Sequence, residues 1–112
     1  MRVLGTFFTL AALTTSAFAG YGPRPSAWCG WEMRHLVSAD PGPAYNLARN
    51  WEHYGRPAPG PAPGVIGVMP HHVFKVVQVL GRGVVLAISG NDSHAVRTRP
   101  RTTAGVIAWR WG

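Results

Sequence analysis

Residues 55–64, reading GRPAPGPAPG, divide this chain into two halves with different hydrophobic periods. Such a run favours an extended, polyproline-like path and cannot itself form a core. Before it the spacing is helical. Ser26 is placed to cap a helix, Glu32 puts negative charge near its start, and Cys29, Met33, Leu36 and Val37 share one face. Asp40-Pro41-Gly42-Pro43 ends that helix. Ala44, Leu47, Ala48 and Trp51 predict a second one, closed by Gly55. After Gly64 the period becomes two. Strands are predicted over 65–69, 73–80, 84–89, 95–99 and 105–109, with a hairpin at Gly81-Arg82-Gly83 and a second turn over 90–93. The expected class is α+β: two N-terminal helices packed on a small antiparallel β-meander. Neither half is large enough to fold alone, so 55–64 reads as a tether inside one domain.

The N-terminus has the three-part design of a secretory signal peptide: Met1-Arg2, an apolar run from Val3 to Leu13, and small residues in Ala17-Phe18-Ala19. Thr14, Thr15 and Ser16 stop the run short of the roughly 20 apolar residues a membrane span needs. A lipoprotein signal is rejected because Trp28 precedes the only cysteine. Cleavage after Ala19 leaves residues 20–112 as a single exported domain, periplasmic or extracellular, with no membrane span. A domain of this size buries only a small core, and small exported domains usually add disulfides. With 1 Cys among its 112 residues this chain cannot. The same count excludes a cysteine-based zinc cluster. No cofactor or metal is expected, and the chain is read as a monomer.

Three residues stand out for chemistry. Cys29 opens a helix, where the partial positive charge of the N-terminus favours thiolate; the plainer reading is a buried structural cysteine. His71-His72 opens the most strongly patterned strand, so one ring points into the packed face and the other away. A strand-borne imidazole facing a helix-borne thiol is what a cysteine nucleophile requires. Surface histidines at a turn are the alternative. Asn91, at the end of the paired strand, is placed to accept from an imidazole N–H, or is an ordinary turn residue.

Taken together, Trp28-Cys29 opening a helix, the Asn46–Trp51 segment, Pro63-Gly64 before a strand, His72-Val73 opening the next and Ser89-Gly90-Asn91 ending its partner resemble the small exported papain-like peptidases of the NlpC and CHAP type. The resemblance spans residues 26–109. It implies hydrolysis of an amide or peptide bond in peptidoglycan, with Cys29 as nucleophile, His72 as base and Asn91 as orienting group, and the backbone N–H of Cys29 in the oxyanion hole. Val65, His71 and Phe74 stand where that group usually has Asp, Gly and Gly. His71 therefore remains an alternative base, and a wall-binding module of the same fold without activity is the alternative function.

The charge fits such a partner. With 11 Lys+Arg against 4 Asp+Glu the net charge is +7, and it falls to +6 when Arg2 leaves with the signal peptide. Arg97, Arg99 and Arg101 alternate on one strand face, while Arg24, Arg34, Arg49, Arg56 and Arg82 are scattered. They read either as a solvated basic surface or as attraction to wall and stem-peptide carboxylates. No nucleic-acid recognition motif is present. Trp28, Trp31 and Trp111 are placed to stack on sugar rings, whereas Trp51 and Trp109 read as core.

Overall fold

The computed structural model describes residues 20–112; the expected signal peptide, residues 1–19, lies outside the described residues. Among the described residues an α-helix, α1 (Cys29–Leu36), precedes two 3-10 segments, Pro43–Asn46 and Ala48–His53. Six strands follow: β1 (Arg56–Pro57), β2 (Ile66–Met69), β3 (His72–Gly81), β4 (Val84–Asp92), β5 (Ala95–Thr102) and β6 (Ala108–Trp111). They form one antiparallel sheet in the order β1-β6-β2-β3-β4-β5. Among the described residues no helix is long and apolar enough to cross a membrane.

The expected two helices on a small meander are thus corrected to one helix and two 3-10 turns against a six-stranded antiparallel sheet. The second helix fails for a local reason. A continuous helix would need the carbonyls of Ala44 and Tyr45 as backbone acceptors. Here the Asn50 amide donates to Ala44 O at 2.8 Å and the Trp51 indole N–H to Tyr45 O at 2.7 Å. Leu47, extended at φ −80° and ψ 117°, separates the two short pieces. The same apolar spacing that suggested a helix still serves packing, because Trp51 is fully buried and Ala48 lies beside it in the core.

The sheet exceeds a meander because the chain end returns. β6 pairs with β2 (Ile66↔Arg110) on one side and with β1 (Arg56↔Trp111) on the other. The tether is therefore stitched to the sheet, and the Ala58 N–H also reaches Trp109 O at 2.9 Å. β6 begins later than the pattern over 105–109 suggested, because Gly105 holds a positive φ of 85° and the Val106 N–H closes a turn on Thr103 O at 3.2 Å. β5 continues past Pro100 to Thr102, as an edge strand can.

Period-two patterning gives the sheet two buried faces. Val73, Val68 and Ile66 pack with Cys29, Met33 and Trp51 beneath the helix. Phe74, Val76, Val85 and Ala87 pack on the other face against Met69, Val106 and Trp109. The helix rests directly on β4 at Gly90, where a Cβ would collide with Glu32 and meet Trp28.

Arg34, read from sequence as one of the scattered surface cations, is fully buried. Its Nε and Nη2 grip Asp40 at 2.7 and 2.9 Å. Nη1 donates to Tyr21 O and Asn46 Oδ1 at 3.0 and 2.8 Å, and Nη2 also to Gly20 O at 3.1 Å. These hydrogen bonds hold the Asp40 carboxyl below its ordinary pKa, so the pair contributes stability above the unfolded carboxyl value and loses it as pH falls through the lower folded value. Arg34→Ala, which removes the charged hydrogen bonds joining these segments, is expected to lower the unfolding free energy by about 1.5–3 kcal/mol in urea titration. The exposed Arg49→Ala should change it by less than about 0.5 kcal/mol.

Candidate functional site

The three residues singled out for chemistry come from the same end of the fold: Cys29 is the first residue of α1, His72 the first of β3, and Asn91 lies next to the last of β4. Ser26 does not cap α1. Trp28 occupies the cap position without a side-chain bond, its carbonyl accepting from the Glu32 N–H at 2.9 Å.

The thiol is seated on the backbone of β3. Its Sγ donates to the His71 carbonyl at 3.9 Å and receives the Val73 amide N–H. It thus brackets residue 72. This is possible because β3 pairs with β2 from Met69↔His72 onward but with β4 only from Lys75↔Ile88. Val76 uses its N–H and C=O toward Val65 and Gly64 on the β2 side. By alternation Val73 directs its N–H toward β4, where the ladder has ended. Cys29 takes the place of the missing strand partner.

The sulfur's surroundings oppose one another electrostatically. The N–H groups of Val73, Gly30 and Cys29, and the charge of Arg101, favour thiolate. Burial outweighs them and pushes the thiol pKa up. At neutral pH Cys29 rests as a thiol.

His72 is turned to another partner. Its Nε2 lies 3.0 Å from the Ser89 hydroxyl, and burial, helped by Arg101 and Arg99 and opposed by Asp92, lowers its pKa to about 4. The imidazole is neutral at pH 7. Asn91 does not reach it: the Asn91 amide donates to the Ser26 carbonyl at 3.5 Å, tying β4 to the segment that leads into Cys29. Asn91 also holds a left-handed φ of 51°, as do Ser93 and His94 at 53° and 66°, a conformation Asn tolerates better than most residues.

His71, and not His72, shares the cavity beside the thiol. With Cys29, Ala27, Asn46, Leu47 and Ala48 it lines a cavity of about 150 Å³ beside the thiol. The cavity is small, and exposed Leu47 stands at its rim. Phe74 and Val65 are fully buried and are not among its lining residues, so these departures from the family pattern do not narrow it. A larger cavity of about 290 Å³ lies against Val37, Tyr54, Lys75 and Trp111, at the far end of α1 from Cys29.

Two features escaped the sequence reading. Ser89 is one: it occupies the inward position after Val85 and Ala87 in an alternating strand, and a polar residue in that series was the available signal. Asp92 is the other. It is 6% exposed and collects the β5 arginines. Arg99 pairs with its carboxylate, Arg101 stands at 4.0 Å, and the Arg97 Nε donates to its backbone carbonyl at 2.8 Å. The alternating arginines are thus partly an internal fastening. Among the described residues no group of three or more His, Cys, Asp or Glu gathers as a metal site.

No family model matches the chain, and no curated protein and no solved structure matches it.

The depressed His72 pKa has a consequence for stability. Because the unfolded imidazole titrates near 6.5, the unfolded chain binds a proton that the folded one refuses between about 6.5 and 4. Stability should therefore fall as pH drops through that window, by less than about 3 kcal/mol once solvent screening of the half-buried ring is counted. His72→Gln should flatten that part of the urea-midpoint profile; an unchanged slope would assign it to another group.

Proposed function

We propose that the chain is an exported cysteine hydrolase that cleaves an amide or peptide bond of cell-wall peptidoglycan, with Cys29 as nucleophile and His72 as base. The observation that supports this most is the seat of the thiol, held by its hydrogen bonds to the peptide groups on either side of His72. The adjoining cavity of about 150 Å³ suits a small substrate group such as an alanine-sized side chain.

The pair starts neutral. As a substrate carbonyl approaches, His72 takes the thiol proton while sulfur bonds to carbon, so thiolate is not required beforehand. The oxygen of the tetrahedral intermediate is stabilised by N–H groups at the helix start, among them that of Cys29. Collapse transfers the proton from the imidazolium to the leaving amine and leaves a thioester. Water then attacks the thioester, giving its proton to His72, and the carboxylic acid departs as the thiol is restored.

The second reading, a wall-binding module without activity, is favoured by one observation: burial moves both titrations away from a thiolate–imidazolium pair. Purified peptidoglycan separates the two readings. The hydrolase reading expects new amine and carboxyl ends to be released, with release reduced by at least about a hundredfold in Cys29→Ala and His72→Ala. Wall co-sedimentation with no release by the wild-type protein would establish the module instead. Alkylation of Cys29 by iodoacetamide without substrate should show one rising limb, at higher pH than for a free cysteine near 8.5. A limb below pH 7 would overturn the neutral-pair mechanism.

A further inference from the structure

Sequence order offered Asn91 as the group that orients His72, but its amide bonds to Ser26. The imidazole is held by a different residue. Ser89 is 1% exposed, and its Oγ lies 3.0 Å from His72 Nε2. Register explains the contact. Continuing the β3–β4 ladder past Lys75↔Ile88 sets Phe74 level with Ser89, so His72 is the diagonal neighbour of Ser89 on the same face. With Nε2 engaged, Nδ1 is the nitrogen left free to take up a proton.

We infer that Ser89 is the positioning residue of this site, holding His72 through Nε2 so that Nδ1 is the basic nitrogen. This deepens the Cys29–His72 reading and rests on it. A hydroxyl suits a neutral pair in a way that a carboxylate does not. In the neutral tautomer Nε2–H donates to Ser89 Oγ while Nδ1 carries the lone pair. After Nδ1 takes the thiol proton, Nε2–H still donates to the same oxygen. The hydrogen bond survives proton transfer with no rearrangement. The charged groups that act on the ring are Arg101 and Arg99 on β5 and Asp92 on β4. Asp92 is itself bound by those arginines, so Ser89 orients the ring without adding negative charge to it.

The test combines ring 15N NMR of His72, assigned by its loss in His72→Gln, with the peptidoglycan digestion assay. In the wild-type protein at pH 7 the ring should carry its proton on Nε2; a proton on Nδ1 would overturn the inference. Ser89→Ala should reduce kcat about tenfold to a hundredfold with little change in KM, since a misdirected base costs chemistry rather than binding. It should also leave the two tautomers in exchange. Ser89→Thr keeps the hydroxyl and should recover most of the rate. Unchanged kcat and an unchanged tautomer in Ser89→Ala would refute the role of Ser89 while leaving Cys29 and His72 in place. Full digestion by His72→Gln would instead refute the underlying reading. Should Ser89→Ala not fold, the wild-type tautomer and the Ser89→Thr rate decide the matter alone.

Discussion

A buried guanidinium organises the N-terminal third of the molecule. Arg34 has no exposed surface, and its N–H groups are spent on Asp40, Asn46 and the carbonyls of Gly20 and Tyr21. A charge removed from water is tolerable only when every donor finds an acceptor. The segment before the helix, the loop after it and the first 3-10 turn must therefore converge on one point. Tyr21 reinforces this by stacking on His35 at 3.9 Å and accepting from the Trp31 indole at 3.2 Å. The cluster orients an eight-residue helix that would be too short to persist alone.

Once oriented, α1 is fastened to β3 at both ends. At its start the Cys29 thiol engages the peptide groups around His72; at its end the Lys75 ammonium donates to Leu36 O at 3.0 Å. Both contacts suit the helix dipole, a sulfur among N–H groups at one end and a cation at the other. Gly90 lets the helix lie against β4 with no side chain between them. The proposed pair thus depends on secondary-structure packing more than on any bond between its two members.

Much of the sheet was legible because period-two patterning and turn residues act locally. The hairpin at Gly81-Arg82-Gly83 connects β3 and β4, and the inward series Val85, Ala87 belongs to a buried face. The helix was readable too, although its cap falls at Trp28 and not at Ser26, as was the placement of His72 and Asn91 at strand ends. What escaped the reading was decided between elements. Nothing local distinguishes buried Arg34 from exposed Arg49, since the difference lies in four partners from other segments. The 3-10 turns arise because Asn50 and Trp51 claim carbonyls that a helix would have used. Ser89 meets His72 only through a register 17 residues apart in sequence. The resemblance supplied residue types in order, whereas the sheet decided which polar group faces the ring.

The two shifts indicate when the proton moves. Burial holds the thiol above its ordinary value and lowers the imidazole to about 4. Both shifts oppose transfer from sulfur to nitrogen, so the neutral pair is the resting form. A cysteine in this setting is quiet toward casual electrophiles. In the proposed mechanism it becomes nucleophilic only when a bound carbonyl offers the negative charge a place among the N–H groups that now surround the sulfur. In that mechanism selectivity for substrate comes from the site's dryness, the same property that makes Cys29 resemble a structural cysteine.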